Sequence, residues 1–197
     1  MKKSFVFIAI VTILELSFLL HTGCTARERK LEGTVKLRNQ YKIINEAEAK
    51  AIVKEWGFFE KRWNKYSSFP NKFQLKQVGE DKIIIDGSTN LVWHQSGSIK
   101  EMNWEDTKNW IKKLNARGYG GYKTWRLPTL SEAASLLESK RIKRCYIDPL
   151  FSPLQYSTRT GDVFNDVRHW GVSFYVGQIF KVGIMESDFV RPVAELK

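Results

Sequence analysis

The most prominent charged cluster of this sequence is a run of four cations within five positions: Lys140, Arg141, Lys143 and Arg144. Lysine and arginine bind sulfate or carboxylate groups through charge-assisted hydrogen bonds. Exposed cations also keep a protein soluble, and that alternative stays open. The run is therefore our candidate site for an anionic ligand such as an acidic glycan.

Few residues have the chemistry that catalysis needs. Cys145 follows the cationic run, which favours either a thiol activated by its neighbours or an inert, half-buried thiol entering a strand. His94 and His169 each adjoin a tryptophan, which favours packing or a hydrogen bond over a role as general base. The chain lacks a Gly-x-Ser-x-Gly nucleophile elbow, and two scattered histidines with one thiol fall short of a zinc site. We predict a non-enzymatic protein without catalytic residues or a metal.

One acidic segment offers oxygen ligands. It runs Asp162-Val163-Phe164-Asn165-Asp166 after Gly161, and its spacing does not match an EF-hand loop. We predict a polar loop here and no cofactor, with Ca²⁺ as the open alternative.

The first 24 residues resemble a secretion signal. Lys2 and Lys3 precede an apolar stretch at 5–20, which is shorter than the about 20 residues that span a bilayer. The ending Thr22-Gly23-Cys24 resembles a bacterial lipobox, in which cleavage precedes Cys24 and lipid attaches to its thiol. His21 and Glu15 depart from that pattern, so a cleaved soluble form and an uncleaved anchor stay open.

This N-terminus predicts an exported protein that a lipid on Cys24 anchors to a membrane of the cell envelope. Thr25 after Cys24 favours the outer membrane if the cell has two membranes. The formal net charge of +11 favours polyanionic partners, and export makes nucleic acid the least favoured of them. We expect an anionic polysaccharide or an envelope protein as partner, and no nucleic acid.

The composition, with 43% hydrophobic and 13% aromatic residues, suffices for one packed domain with an extension. Residues 25–44 are predicted to form a tether, because at least up to Asn39 they are polar and poor in large apolar groups. Asn45 with Glu48 forms a capping box, and apolar residues recur at helical spacing as far as Trp63. We therefore predict an N-terminal helical extension at 45–75, whose aromatic residues face a core rather than a membrane surface.

The pattern changes in the remainder, which we predict to be one domain at 76–197. Strands are predicted at 83–86 and 91–94, around a turn at 87–90. Helices are predicted to begin after Asn103, ending at Gly118, and after Thr129. Later segments predict a hairpin with its turn at Gly177-Gln178, and a last strand at 189–193.

Several motifs, in this order, resemble one bacterial family, the Lcl C-terminal domain-like family, named after the terminal domain of a collagen-like adhesin. They are Ile85-Asp86-Gly87-Ser88-Thr89-Asn90-Leu91-Val92-Trp93, Trp104-Glu105-Asp106, Gly120-Gly121-Tyr122-Lys123-Thr124-Trp125-Arg126-Leu127-Pro128-Thr129, Ser131-Glu132, Trp170-Gly171-Val172-Ser173-Phe174 and Val190-Arg191-Pro192-Val193. The resemblance covers roughly residues 78–196. Asn90 and Tyr156-Ser157-Thr158 depart from the family pattern, which puts in doubt any binding role there.

The resemblance implies a compact α+β domain related to the C-type lectin and formylglycine-generating-enzyme folds, with two helices flanking twisted antiparallel sheets. In the collagen-like adhesin the domain trimerises and binds sulfated glycosaminoglycans. This chain has no Gly-X-Y repeats, so its oligomeric state stays open. The related enzymes bind copper through a cysteine pair, which the lone Cys145 does not supply after export.

The family-motif residues are expected to be mainly structural. They are Asp86, Trp93, Trp104, Gly121, Trp125, Arg126, Leu127, Pro128, Thr129, Trp170, Arg191 and Pro192. For Arg126 we expect burial against a carboxylate such as Asp86, with substrate contact as the alternative.

The sequence thus predicts a non-enzymatic envelope lipoprotein whose ligand-binding domain binds anionic glycans, as an adhesin does. The alternative is a structural or accessory component of an envelope assembly, docked through the N-terminal helix. A minor alternative is an enzyme of the formylglycine-generating-enzyme-like fold that lacks the copper cysteines.

Overall fold

The computed structural model describes residues 33–197, which contain three helices and two antiparallel sheets. In chain order the elements are α1 Glu46–Trp56, β1 Phe73–Val78, β2 Asp81–Asp86, β3 Leu91–His94, α2 Trp104–Arg117, α3 Leu130–Ser135, β4 Ser157–Asn165, β5 Arg168–Ser173, β6 Gln178–Gly183 and β7 Val193–Glu195. The predicted α+β class is confirmed. The predicted signal, Cys24 and residues 25–32 lie outside the described residues.

The larger sheet has the order β1-β2-β3-β7 and separates two hydrophobic cores. Along a strand, successive side chains point to opposite faces. Ile84 and Trp93 accordingly join the main core, whereas Ile83 and Val92 join a smaller one. Burial on both faces explains why β2 is continuously apolar in its centre rather than alternating.

The three predicted helix starts at Asn45, Asn103 and Thr129 are confirmed. The Asn45 side chain accepts a hydrogen bond from the Glu48 backbone N–H at 3.0 Å, and the Glu48 carboxylate accepts one from the Asn45 N–H at 2.7 Å. Thr129 and Glu132 form the same reciprocal box at α3. These caps satisfy N–H groups that have no partner within the helix.

The predicted helical extension at 45–75 is too long. α1 ends at Trp56 because Gly57 adopts a left-handed conformation that closes the last turn. Residues 57–72 then run mostly without helix or strand, and β1 begins at Phe73. Beyond Trp56, Phe58, Phe59 and Phe69 are buried by tertiary packing of this irregular segment and not by a longer helix, whereas Tyr66 is exposed.

The predicted tether is wrong for residues 33–44, because this segment packs on the domain. Val35 and Leu37 are buried, and the Val35 N–H donates to the Ser88 carbonyl at 2.6 Å. Further along, Ile44 is buried, and its carbonyl accepts a hydrogen bond from the Trp170 indole at 2.9 Å. A few apolar side chains are sufficient to fix a segment whose composition is mainly polar.

α2 leads into a short 3₁₀ turn, Tyr119–Gly121, against β2. Gly120 has a φ of 59°, and a Cβ atom there would lie 2.6 Å from Cγ2 of Ile83. Only glycine fits both the conformation and the close approach. The turn also places the Tyr119 carbonyl to accept the Trp125 indole N–H at 3.0 Å.

The expected contact between Arg126 and Asp86 is absent from the described residues. Arg126 instead forms a bidentate pair with Glu132, with N–O distances of 2.8 and 2.7 Å. Asp86 organises the turn that follows β2, where it accepts hydrogen bonds from the Ser88 N–H and the Thr89 hydroxyl.

The prediction of a polar loop at 162–166 is wrong, and the Asp162 oxygens that we considered as Ca²⁺ ligands accept hydrogen bonds from protein groups. β4 extends through Asn165, and the Asp162 carboxylate is fully buried within it. The Arg38 guanidinium donates to both oxygens of Asp162, at 2.9 and 2.6 Å. The N–H groups of Lys42 and Leu130 donate at 2.8 and 2.6 Å. The carboxylate is thus committed to protein donors.

The smaller sheet has the order β4-β5-β6, and the predicted hairpin is confirmed as β5 and β6. Its connection spans residues 174–177 rather than Gly177-Gln178 alone. The last strand, β7, begins at Val193 rather than 189, directly after Pro192. No helix within residues 33–197 has the length and apolar character needed to cross a membrane.

We predict that Asp162→Ala lowers the free energy of unfolding by about 3 kcal/mol, because it leaves Arg38 and two backbone N–H groups without their acceptor. Urea denaturation measures this change. Asp166→Ala is the matched control, since Asp166 is exposed near the end of the same strand. Equal stability of the two variants would contradict the role assigned to Asp162.

Candidate functional site

The four predicted cations, Lys140, Arg141, Lys143 and Arg144, are all exposed in the connection between α3 and β4. The backbone fixes this loop, because Ile142 and Cys145 exchange N–H···O hydrogen bonds of 2.9 and 3.1 Å. Lys143 adopts a φ of 58°, the left-handed conformation that closes the turn. The cations therefore project from an ordered turn.

Arg141 is held in place by one neighbour in its own loop and by another in the connection between β5 and β6. Its Nε donates to the Arg144 carbonyl at 3.0 Å, and its guanidinium lies 4.9 Å from the centre of the Tyr175 ring. Tyr175 is half exposed in the connection between β5 and β6. Stacking on an aromatic ring restricts arginine while leaving its N–H groups able to bind a ligand.

A fifth cation comes from the irregular segment after α1. The Lys61 N–H donates to the Gly177 carbonyl at 2.9 Å, which places Lys61 beside the turn that carries Tyr175. We call Lys61, Lys140, Arg141, Lys143 and Arg144 together the basic surface. Within residues 33–197, none of these five forms an ion pair with a carboxylate.

Sequence reasoning missed Lys61 and Tyr175 as members of this surface. They are brought together by Phe59, whose ring stacks on Tyr146 at 5.3 Å, and by the close approach of Gly177 to both rings. The contacts of Phe59 with Tyr146 and Gly177 join residues more than 80 positions apart, and no local pattern signals them. The cationic run alone was visible in the sequence.

Cys145 lies beneath this loop and is buried. Burial raises the pKa of its thiol, and the smaller opposing effects of Arg141 and Arg191 do not reverse the shift. The structure therefore favours the inert thiol over the activated one.

Both histidines pack against aromatic rings. The His94 ring stacks on Tyr119 at 4.0 Å, and the His169 ring on Trp104 at 4.1 Å. Burial, followed by the charge of Arg191, lowers the pKa of His94 to about 3. Burial and Arg159 also lower the pKa of His169. Across residues 33–197, no group of three or more His, Cys, Asp or Glu side chains is arranged to hold a metal ion.

The family-motif residues divide by burial. Those buried are Asp86, Trp93, Trp125, Leu127, Pro128, Thr129, Trp170, Arg191 and Pro192. Trp104 and Arg126 are half-buried, and Gly121 is exposed with a φ of 86°.

Arg191 occupies the interior without a carboxylate partner among the described residues. Its guanidinium donates to the carbonyls of His94 at 3.1 Å, Gln95 at 2.5 Å and Ser152 at 3.2 Å. Burial lowers its pKa to about 9. The side chain thus joins the end of β3 to the segment before β4.

The fold and this site define an α+β domain of two antiparallel sheets that carries an ordered basic surface. The family model of the Lcl C-terminal domain matches residues 82–194, more than half of the chain, so the chain belongs to this family. No curated protein and no solved structure matches the chain.

We predict that Cys145 is unreactive in the folded protein. In a Cys24→Ser variant, a disulfide thiol reagent at about pH 8 should label no thiol until urea unfolds the chain, and then one per molecule. Rapid labelling of the native protein would show instead that the neighbouring cations activate the thiol.

We predict that His94 stays neutral from about pH 8 to 5, because its pKa lies near 3 in the folded chain against about 6.5 when unfolded. The unfolded chain therefore binds this proton first, so the contribution of His94 to stability is complete above about pH 6.5 and falls as the pH drops toward 3. Nitrogen NMR shifts of the ring report its protonation directly. Titration near 6.5 in the folded protein would contradict this assignment.

Proposed function

We propose that this protein is an exported, non-enzymatic lipoprotein, anchored to the cell envelope through Cys24, whose domain binds an anionic polysaccharide at the basic surface. The observation that carries the proposal is the set of five exposed cations without carboxylate partners within the described residues. We propose the outer membrane as its location in a cell with two membranes. The domain has the lectin-like and adhesin-like character that the family resemblance implies.

The chemistry of the surface fits sulfate or carboxylate groups on a flexible chain. Arg141 offers a planar fork for bidentate binding, and its stacking on Tyr175 reduces the side-chain entropy lost on binding. The lysines act as point charges that tolerate variable spacing of the anionic groups. Since most of the cations lie in solvent, binding should weaken strongly with salt.

The test is the affinity of the full-length protein for a sulfated heparin oligosaccharide, measured by calorimetry at low and physiological salt. We expect alanine substitution of Lys140, Arg141, Lys143 and Arg144 together to weaken binding at least about tenfold, which corresponds to about 1.4 kcal/mol. A detergent without a sugar headgroup keeps lipidated protein in solution.

The matched control removes the same charge elsewhere, by alanine substitution of Lys76, Lys112, Lys113 and Lys123, which are also exposed. This variant should keep most of the affinity. Equal losses in both variants would mean that net charge alone attracts the polyanion, and the proposed site would be wrong.

A second candidate function is docking in an envelope assembly through α1. A surface groove of about 320 Å³ runs along this helix, with Ile52 and Trp56 in its lining. Ile43, also in the lining, is 74% exposed. Copurification of one partner that survives high salt and is lost in Ile43→Glu would favour this function over polysaccharide binding.

A further inference from the structure

A second groove, of about 600 Å³, lies between α2 and the loop that follows β3. Its volume falls within the range of small-molecule sites in proteins. Its apolar lining comes from Trp110 and Leu114 of α2 and from Ile99 and Met102, and the buried His94 also lines it. None of these residues belongs to the basic surface.

The hydrogen bonds of His94 determine which of its ring nitrogens carries the proton. Nδ1 of His94 accepts a hydrogen bond from the Gly97 backbone N–H at 2.9 Å, so Nδ1 carries no proton. The proton of the neutral imidazole must then lie on Nε2. Nε2 makes no hydrogen bond within residues 33–197, and it is not fully buried, so a ligand in the groove can reach it. His94 therefore offers a fixed, uncharged N–H to a ligand.

The apolar walls are open to solvent. Ile99 is 93% exposed and Trp110 is half-buried. The Tyr119 ring already contacts protein groups, because it stacks on His94 at 4.0 Å and the Arg117 guanidinium lies 5.0 Å from its centre. Trp110 is thus the aromatic surface that remains for a ligand in this groove.

The charges around the groove balance. Glu80 and Asp81 oppose Lys100 and Arg117, and Asp81 is already paired with Arg117. A polyanion gains nothing from such a rim, in contrast to the basic surface. A ligand that suits it has an apolar face and an edge of groups that both donate and accept hydrogen bonds.

We propose that this groove binds a neutral saccharide. The C–H face of a pyranose ring packs on Trp110, and a sugar oxygen accepts the Nε2–H of His94. Other hydroxyl groups donate to the carboxylate of Glu80 and accept from Lys100 at the rim. This site goes beyond the proposed function, because it uses different residues and recognises a ligand without charge.

The test is calorimetric titration of the full-length protein, in a detergent without a sugar headgroup, with N-acetylglucosamine, methyl glucoside, methyl galactoside and cellobiose. We expect saturable binding of at least one of them below about 10 mM, unchanged by added salt. The absence of saturable binding by all four would overturn the proposal.

Substitutions locate the binding site. Ile99→Glu should weaken saccharide binding at least about fivefold, a change of about 1 kcal/mol, because it places an unpaired carboxylate at the apolar wall. Met185→Glu is the control, since Met185 is 89% exposed and does not line the groove. Equal effects of the two substitutions would contradict the assigned site.

Trp110→Ala should abolish saccharide binding. Its control is Trp56→Ala, because Trp56 is also a half-buried tryptophan in a helix.

The alanine variant of Lys140, Arg141, Lys143 and Arg144 separates this proposal from the anionic site. It should bind neutral saccharides like the unmodified protein while losing the heparin oligosaccharide. Loss of both ligands would place saccharide binding on the basic surface and overturn the groove as a separate site.

Discussion

The buried carboxylate of Asp162 is the constraint on which the domain depends. Through Arg38 and the N–H groups of Lys42 and Leu130, it joins the segment at 33–44, the start of α3 and the centre of β4. A charge in the interior is tolerated only when its hydrogen bonds are complete, and here four donors satisfy it. The N-terminal segment is therefore an integral part of the domain.

The position of α3 also determines the position of the loop at its C-terminal end. Leu136 and Leu137 are buried there, so the loop at 138–145 leaves the core at a defined point and closes by its own backbone hydrogen bonds. The basic surface is thus built on a rigid support. The groove beside α2 depends instead on the smaller core, where Trp125 and Tyr119 pack under β2. The basic surface is therefore supported by the main core on one face of the larger sheet, and the groove by the smaller core on the other face.

Local chemistry explains which parts of the fold were predictable. The helix starts after Asn45, Asn103 and Thr129 were predictable, because a capping hydrogen bond joins residues only three positions apart and is therefore visible in the local sequence. β4 was missed because the partners that allow Asp162 to be buried lie as far as 124 positions away. The pair between Arg126 and Glu132 was predictable in principle, since Glu132 lies only six residues further along and within the first turn of the helix predicted after Thr129. Of the basic surface, the contiguous run was predictable, whereas Lys61 joins it only through tertiary packing.

The central claim is that the basic surface itself contacts an anionic polysaccharide. The most direct measurement is an amide NMR titration of the full-length protein with a sulfated heparin oligosaccharide. We expect shifts confined to residues 140–146, to the turn at 174–177 and to Lys61, with the groove residues at 94–102 unaffected. Shifts centred elsewhere, or spread evenly over all exposed lysines, would contradict it.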